Sequence, residues 1–388
     1  MNSVLFRTLR GVSGLLSLPL ALIVTIALKL CMPGRKVRIV VMDPRYFGHQ
    51  SLEPEVFWND WQASKETGSG DVWFCCLGKR SAAANPYLWD HTRDKFPTVP
   101  SWIVTRLAPW LGRLKFSNIL LTEASIYRLN FLANRPSTLP SASTFVERRK
   151  EILSNLKDPK RPYVVFTIRD LNVSYDRDDP RNRDIKEFIP AMRALTARGF
   201  NVIRLTSKTS YPMTNDDGHI LDWQVLVDGC EADELVLLSQ AAFVVSTTTG
   251  GDCLALAYRR PVLYIDSARF YLVFLATELA TFQVPLMIDN NSGERLRLEE
   301  LLARDLGWVN DSRLFKKAEV SIVNSTPPEL ERYVIEFAET LSQQISESNE
   351  DLQDSWRRIL LSVYNDEVTT RHGDIRARML PTSLAAFV

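Results

Sequence analysis

The sequence predicts an α/β protein built as two successive parallel-sheet halves, with a hydrophobic helix before them and helices after them. Three observations carry that expectation. Short apolar runs rich in valine and isoleucine, VRIVVMD at Val37–Asp43, YVVFTIRD at Tyr163–Asp170, FVV at Phe243–Val245 and PVLYI at Pro261–Ile265, have the length and composition of buried strands. Stretches of helical period separate them, and strands that alternate with helices pair in parallel and are covered on both faces. The alternation starts near residue 37 and starts afresh near residue 163, and 388 residues with 45% hydrophobic content suffice for two ordinary domains and extra elements.

Taken in order, the chain opens with VSGLLSLPLALIVTIAL, Val12–Leu28, 17 residues without a charge, flanked by Arg7 and Arg10 and then by Lys29, Arg35, Lys36 and Arg38. That length is the lower limit for crossing a bilayer, and Pro19 would kink a helix near its middle. Basic residues on both flanks also suit a re-entrant or interfacial helix at the cytoplasmic face. The run ends at Lys29 and Cys31-Met32-Pro33 instead of a small-x-small site, which argues against a cleaved signal peptide. Residues 1–35 are expected to attach the protein to a membrane surface; the alternative is a buried helix packed on the first domain.

The first domain is expected over residues 36–155. Its strand Val37–Asp43 leads into a loop, PRYFGHQSLEPE, that carries Gly48 and His49, and then into a helix with Glu53 and Glu55 in its first turn, where carboxylates suit the helix dipole. Strands follow at Asp71–Leu77 and Ile119–Leu121. The run STLPSAS at Ser137–Ser143 breaks periodicity, and Ile152–Pro162 reads as a linker, which sets the boundary near residue 155.

The second domain, 156–340, takes the strand Tyr163–Asp170, a helix Ile185–Arg198 capped by Gly199, and strands Asn201–Leu205 and Trp223–Val227. It continues with a helix Ala232–Ala241, the strand Phe243–Val245, a helix Asp252–Tyr258 and the strand Val262–Ile265. From Pro327 the chain is helical again, with proline in the first turn. Residues 341–388 are expected to form further helices, Asp351–Tyr364 among them, that pack back on the first domain. Both halves read as Rossmann-like units.

Composition narrows the function classes. The formal net charge of +1 gives no reason to expect nucleic acid as a partner. Five cysteines without a CxxC pair read as reduced core residues, which suits a cytoplasmic location. Neither Walker A, GxGxxG nor GxSxG is present, and His91, His219 and His372 show no spacing of a metal site. Asp178-Asp179 and Asp216-Asp217 read as solvated acids in polar loops. No metal and no cofactor is expected.

The chemistry concentrates at strand ends. Between the strand at Phe243 and the helix at Asp252 lies STTTGGD, with Ser246, Thr247, Thr248, Thr249, Gly250 and Gly251 giving no side chain larger than threonine. Small residues let a ligand approach the backbone, and N–H groups at a helix start attract anions, so the loop is either a phosphate cradle or an ordinary capped connection. Asp252 suits a helix cap or a bond to a sugar hydroxyl. Arg169 and Asp170 end the first strand of the second domain, as a phosphate-holding guanidinium with its neighbour or as a salt bridge closing the strand. Arg204 and Lys208, after the next strand, would extend a basic rim suited to a diphosphate. In the first domain, His49 has an ordinary pKa that suits a general base for an acceptor hydroxyl; a structural histidine is the competing reading.

Several motifs resemble a family of bacterial glycosyltransferases with the GT-B fold, associated with surface-polysaccharide biosynthesis. They are YFGHQSLEPE, TIRD, IKEFIPAMRALTARGFNVIRL, ADELVLLSQAAFVVSTTTGGD followed by RRPVLYID, and HGDIRAR, which together cover most of residues 37–380. The resemblance implies two Rossmann-like domains facing a cleft, the second binding a nucleotide-diphospho-sugar and the first its acceptor. It places Arg169, Thr248, Thr249, Gly250 and Asp252 on the donor side, and Gly48, His49 and the neighbouring Glu53 on the acceptor side. The implied reaction is metal-independent sugar transfer to a membrane-proximal or lipid-linked glycan. Two alternatives stay beside it: a sugar-nucleotide epimerase of the same architecture, and a non-catalytic membrane-associated protein that binds sugar nucleotides.

Overall fold

The run VRIVVM forms strand β1, Val37–Met42, and in the computed structural model it buries Val37, Ile39, Val40 and Met42. The structure describes residues 33–104, 119–123, 134–170, 179–205, 218–223, 230–267, 277–307, 311–342, 353–360 and 377–380, with isolated positions besides. The chain divides into two compact units, Met1–Ile126 and Tyr127–Val388. The division therefore falls upstream of residue 155. Helix α3, Val146–Leu153, belongs to the second unit because Arg148 Nε reaches buried Asp233 Oδ1 at 2.7 Å, at the start of another helix of that unit.

In the first unit β1 is followed by α1 (Phe47–Glu66), β2 (Val72–Leu77), α2 (Pro86–Lys95) and β3 (Ile119–Glu123). The strands pair in parallel in the order β2-β1-β3. Val37, Ile39, Cys76 and Ile119 form one small core, and Val40, Met42, Phe57, Trp73 and Cys75 another. Alternate residues of β1 thus supply different cores. Helix α1 starts earlier than expected, so Gly48 and His49 stand in its first turn and Glu53 and Glu55 lie buried further along. Tertiary contacts set that start: the Gln50 amide donates to the Asn85 carbonyl at 3.0 Å and accepts the Asn85 N–H at 2.7 Å.

The second unit is built on seven parallel strands in the order β12-β9-β8-β7-β4-β5-β6. These are β4 (Tyr163–Thr167), β5 (Asn201–Arg204), β6 (Ile220–Asp222), β7 (Val244–Ser246), β8 (Val262–Tyr264), β9 (Ala280–Phe282) and β12 (Arg378–Met379). Helices α4 (Ile189–Ala197), α5 (Asp233–Leu238) and α6 (Gly250–Ala257) connect them, and Gly199, at φ +89°, closes α4 in the left-handed conformation expected of a cap. Val164, Phe166, Val202, Val245 and Leu263 pack against Met192 and Leu195 of α4. Val334 and Phe337 of the long helix Pro327–Ser342 join the same core.

Two outcomes differ from the sequence reading. The strand expected over Trp223–Val227 forms at Ile220–Asp222, and residues 224–229 lie outside the described residues. An antiparallel pair, β10 (Leu286–Asp289) with β11 (Val320–Val323), was not foreseen. In the described part of the tail, residues 353–360 are helical, Gln353 Nε2 donates to the Met379 carbonyl at 2.7 Å, and β12 pairs with β9 of the second unit. The apolar run Val12–Leu28 falls largely outside the described residues, among which no helix is long and apolar enough to cross a membrane.

Candidate functional site

The second sheet starts in its middle. β4 is the first strand, β5 and β6 are laid down on one side of it, and β7, β8 and β9 on the other. Connections on either side of such a reversal leave in opposite directions, and the carboxyl ends of the strands that flank it, here β4 and β7, are where open α/β sheets bind their ligands. Those two ends carry Arg169 and Asp170, and Ser246–Gly251.

The structure brings these two groups together. The Arg169 N–H donates to Thr247 Oγ1 at 2.9 Å, and the Thr247 N–H reaches back to the Thr167 carbonyl at 3.4 Å. Thr249 caps α6: its hydroxyl accepts the Gly251 N–H at 3.2 Å, while Asp252 Oδ2 accepts the Thr249 N–H at 2.8 Å and the Ser246 hydroxyl at 2.9 Å. Asp252 is fully buried, which pushes its carboxyl up to about 6. It acts as the cap of the loop and not as a sugar contact. A Cβ on Gly251 would stand 2.8 Å from Thr167 Cγ2, so this glycine is required by close packing of helix on strand. Thr248 sits at φ +63°, a costly conformation for a β-branched residue, and Thr248–Gly251 are all partly exposed.

Around the loop the charged residues sort into two kinds. Arg169 has a side chain 33% exposed, held by Asn182 Oδ1 at 2.9 Å from its Nε and by Asp179 at 3.4 Å. Arg204, expected on a basic rim, is instead wholly buried in an ion pair with Asp222 and donates to the Tyr211 carbonyl at 2.7 Å. Its strand turns the side chain inward, next to the polar atoms that offset the cost of burying it. Asp170 is also buried, bridging to Arg183 through its backbone. Lys208 lies outside the described residues.

Sequence reasoning took Asp179 for a solvated acid in a polar loop and passed over Asn182 and Arg183. Asp179 is buried; desolvation raises its carboxyl, but hydrogen bonds from Arg181 outweigh that and hold it below the usual carboxylate range. Arg183 is buried too, paired with Asp266, whose carboxylate also accepts the Ser325 hydroxyl at 2.6 Å. The density of alternating acids and arginines was the signal, since solvated acids have no need to be neutralised residue by residue.

In the first unit His49 and Glu53 face each other across one turn of α1. His49 Nδ1 lies 2.6 Å from Glu53 Oε1, and Glu53 Oε2 accepts the Asp43 N–H at 2.8 Å. The carboxylate hydrogen bond holds His49 above the usual imidazole range, while burial pushes the Glu53 carboxyl up. Glu53 is 4% exposed and cannot turn away, so the ring is oriented with Nε2 directed away from the carboxylate. Tyr46 stands beside it, ring centroids 5.6 Å apart, and is exposed. Gly48 supplies backbone only. Among the described residues, no group of three or more His, Cys, Asp or Glu side chains is placed to hold a metal ion.

Fold and site define an open α/β protein of two parallel-sheet units, with a capped threonine loop at the switch point of the second and a histidine–glutamate pair in the first. No family model and no curated protein matches the chain. Among solved structures it is similar to the E. coli ADP-heptose LPS heptosyltransferase II, at 12% identity over 59% of this chain and 84% of that one, with a TM-score of 0.38. It is similar to the dodecameric iron-containing heptosyltransferase TibC in complex with ADP-D-beta-D-heptose, at 13% identity over 80% of each chain and a TM-score of 0.35. It is also similar to the E. coli heptosyltransferase WaaC with ADP, at 14% identity over 58% of this chain and 86% of that one, with a TM-score of 0.34.

Proposed function

We propose that the protein is a glycosyltransferase that moves a sugar from a nucleotide-diphospho-sugar to a hydroxyl of a membrane-proximal or lipid-linked glycan. The observation that carries this reading is the union of Arg169 with the Ser246–Gly251 loop at the topological switch point of the second unit. A ligand there meets the start of α6, the partly exposed Thr248–Gly251 stretch and the Arg169 guanidinium, an arrangement suited to a diphosphate. Fixed donors of this kind offset the charge that grows on the leaving diphosphate, which suits transfer without a bound metal. The buried network of Arg183, Asp266 and Ser325 keeps this strand edge rigid.

In the first unit the His49–Glu53 pair suits proton removal from the acceptor hydroxyl, with the ring nitrogen Nε2 as the base and Glu53 stabilising the imidazolium that forms. The pairing of a diphosphate cradle with a base for a hydroxyl favours transfer over simple binding. Exposed Leu22, Ile23, Ile26 and Leu30 support attachment to the cytoplasmic face of a membrane through the N-terminal segment.

The test is thermal stability of the full chain against nucleoside diphosphates and their sugars. A ligand of the folded state present at 100 times its Kd raises stability by about 2.7 kcal/mol. One nucleotide series is expected to stabilise the protein, and Arg169→Ala is expected to abolish that shift. Silence across the whole series rejects the donor reading.

A further inference from the structure

Beside His49 the first unit holds a small cavity of about 10 Å³, room for one water-sized or methyl-sized group. Met42, Pro44, Pro54 and Leu77 supply its apolar wall, and apart from His49, which lines it too, its polar neighbours are engaged with the protein. Both ends of the Gln50 amide are bound to the Asn85 backbone, the Thr92 hydroxyl donates to the Leu88 carbonyl at 2.9 Å, and the Trp89 indole donates to the Gly78 carbonyl at 3.0 Å. The Asp43 carboxylate is occupied by Arg45 through Nε at 2.9 Å and a terminal nitrogen at 2.6 Å. A water needs two to four polar partners, and with His49 Nδ1 held by Glu53 the ring offers one nitrogen, so a group entering this cavity gains little from being polar. A methyl gains by leaving water.

Resting on the reading of His49 as the acceptor base, we propose that this cavity is a methyl subsite: the acceptor sugar carries a methyl group next to the hydroxyl that His49 deprotonates. Two sugar chemistries supply one, the C6 methyl of a 6-deoxy sugar and the methyl of an N-acetyl group. Tyr46, exposed beside the imidazole and with the Arg45 guanidinium over its ring, adds aromatic surface for the sugar. The bidentate Asp43–Arg45 pair leaves the surroundings close to neutral, which matches a neutral acceptor.

The experiment uses NMR on the full chain with matched 2-hydroxyethyl glycosides, which bring no methyl of their own: L-fucose against L-galactose, L-rhamnose against L-mannose, and N-acetylglucosamine against N-formylglucosamine. The imidazole signal of His49, assigned by its loss in His49→Gln, reports whether binding is at this site. The methyl-bearing partner of one pair is expected to bind about fourfold more tightly, the gain from burying one methyl-sized group. Preference within the first two pairs assigns a deoxy sugar, and preference within the third assigns an N-acetyl sugar. Leu77→Phe, which fills the cavity, is expected to erase the preference while the parent sugar still binds. Equal binding within every pair overturns the methyl subsite and leaves the acceptor reading standing. Absence of any glycoside effect on His49 overturns both, whatever the variant does.

Discussion

At the scale of single residues, two positions of the candidate site hold electrostatic or conformational strain. His49 is held above the usual imidazole range by its bond to Glu53. A raised folded pKa means that the pair contributes stability fully below the unfolded histidine value near 6.5 and loses it as pH rises through the folded value. Glu53→Gln is expected to bring the His49 titration back toward the ordinary range, read by NMR, and to move the acid limb of transfer activity to lower pH with a fall in kcat. An unchanged titration would mean that Glu53 does not set the charge of the ring. Thr248, at φ +63°, is the second place. Thr248→Gly is expected to raise stability by about 1 kcal/mol in denaturant melts, because glycine adopts that conformation freely while giving back some chain entropy. Nucleotide affinity should fall in the same variant, since the loop is then less fixed.

The scale of elements explains the contacts between them. Gly251 lets the start of α6 rest on Thr167 at the end of β4. Gly251→Ala is expected to cost about 1–3 kcal/mol by overpacking, and Thr167→Ser, which removes the offending methyl, is expected to recover most of the loss in the double variant. The Thr167 hydroxyl has no hydrogen-bond partner, so nothing else is sacrificed by that change. The ion pair of Arg204 on β5 with Asp222 on β6 is fully desolvated. Arg204→Ala is expected to destabilise by about 3–5 kcal/mol, because it strands a buried carboxylate, and its damage should appear in unfolding experiments instead of in nucleotide specificity.

How much of this was legible in the sequence follows from the same contacts. Strands β4, β7 and β8 were readable because consecutive apolar residues buried on both faces leave an unbroken signal. The STTTGGD loop was readable for a similar reason, since small residues between a strand and a helix are a local pattern. Arg204 was misread as a rim residue because its partner, 18 positions later, is set by strand pairing that no local pattern encodes. The early start of α1 was missed for the same reason: Gln50 fixes it by gripping Asn85, 35 residues away.

For the whole molecule, the second unit is assembled out of sequence. Its sheet begins in the middle with β4 and is closed at one edge by β12, whose two residues pair with β9, and the Leu380 N–H just after them donates to the Phe282 carbonyl at 3.0 Å. Removal of residues 377–388 is expected to lower the unfolding midpoint and promote association, measured by denaturant melts and light scattering, because an uncovered strand edge invites pairing with another chain. The order also sets a schedule during synthesis. At about 5–20 residues per second, the hundred or so residues between β9 and β12 take roughly 5–20 s to emerge. Through that interval the nascent second unit presents an open backbone edge at Ala280–Phe282. Neighbouring chains on one messenger therefore compete with the chain's own tail for the same hydrogen bonds, and ribosome spacing becomes a determinant of yield.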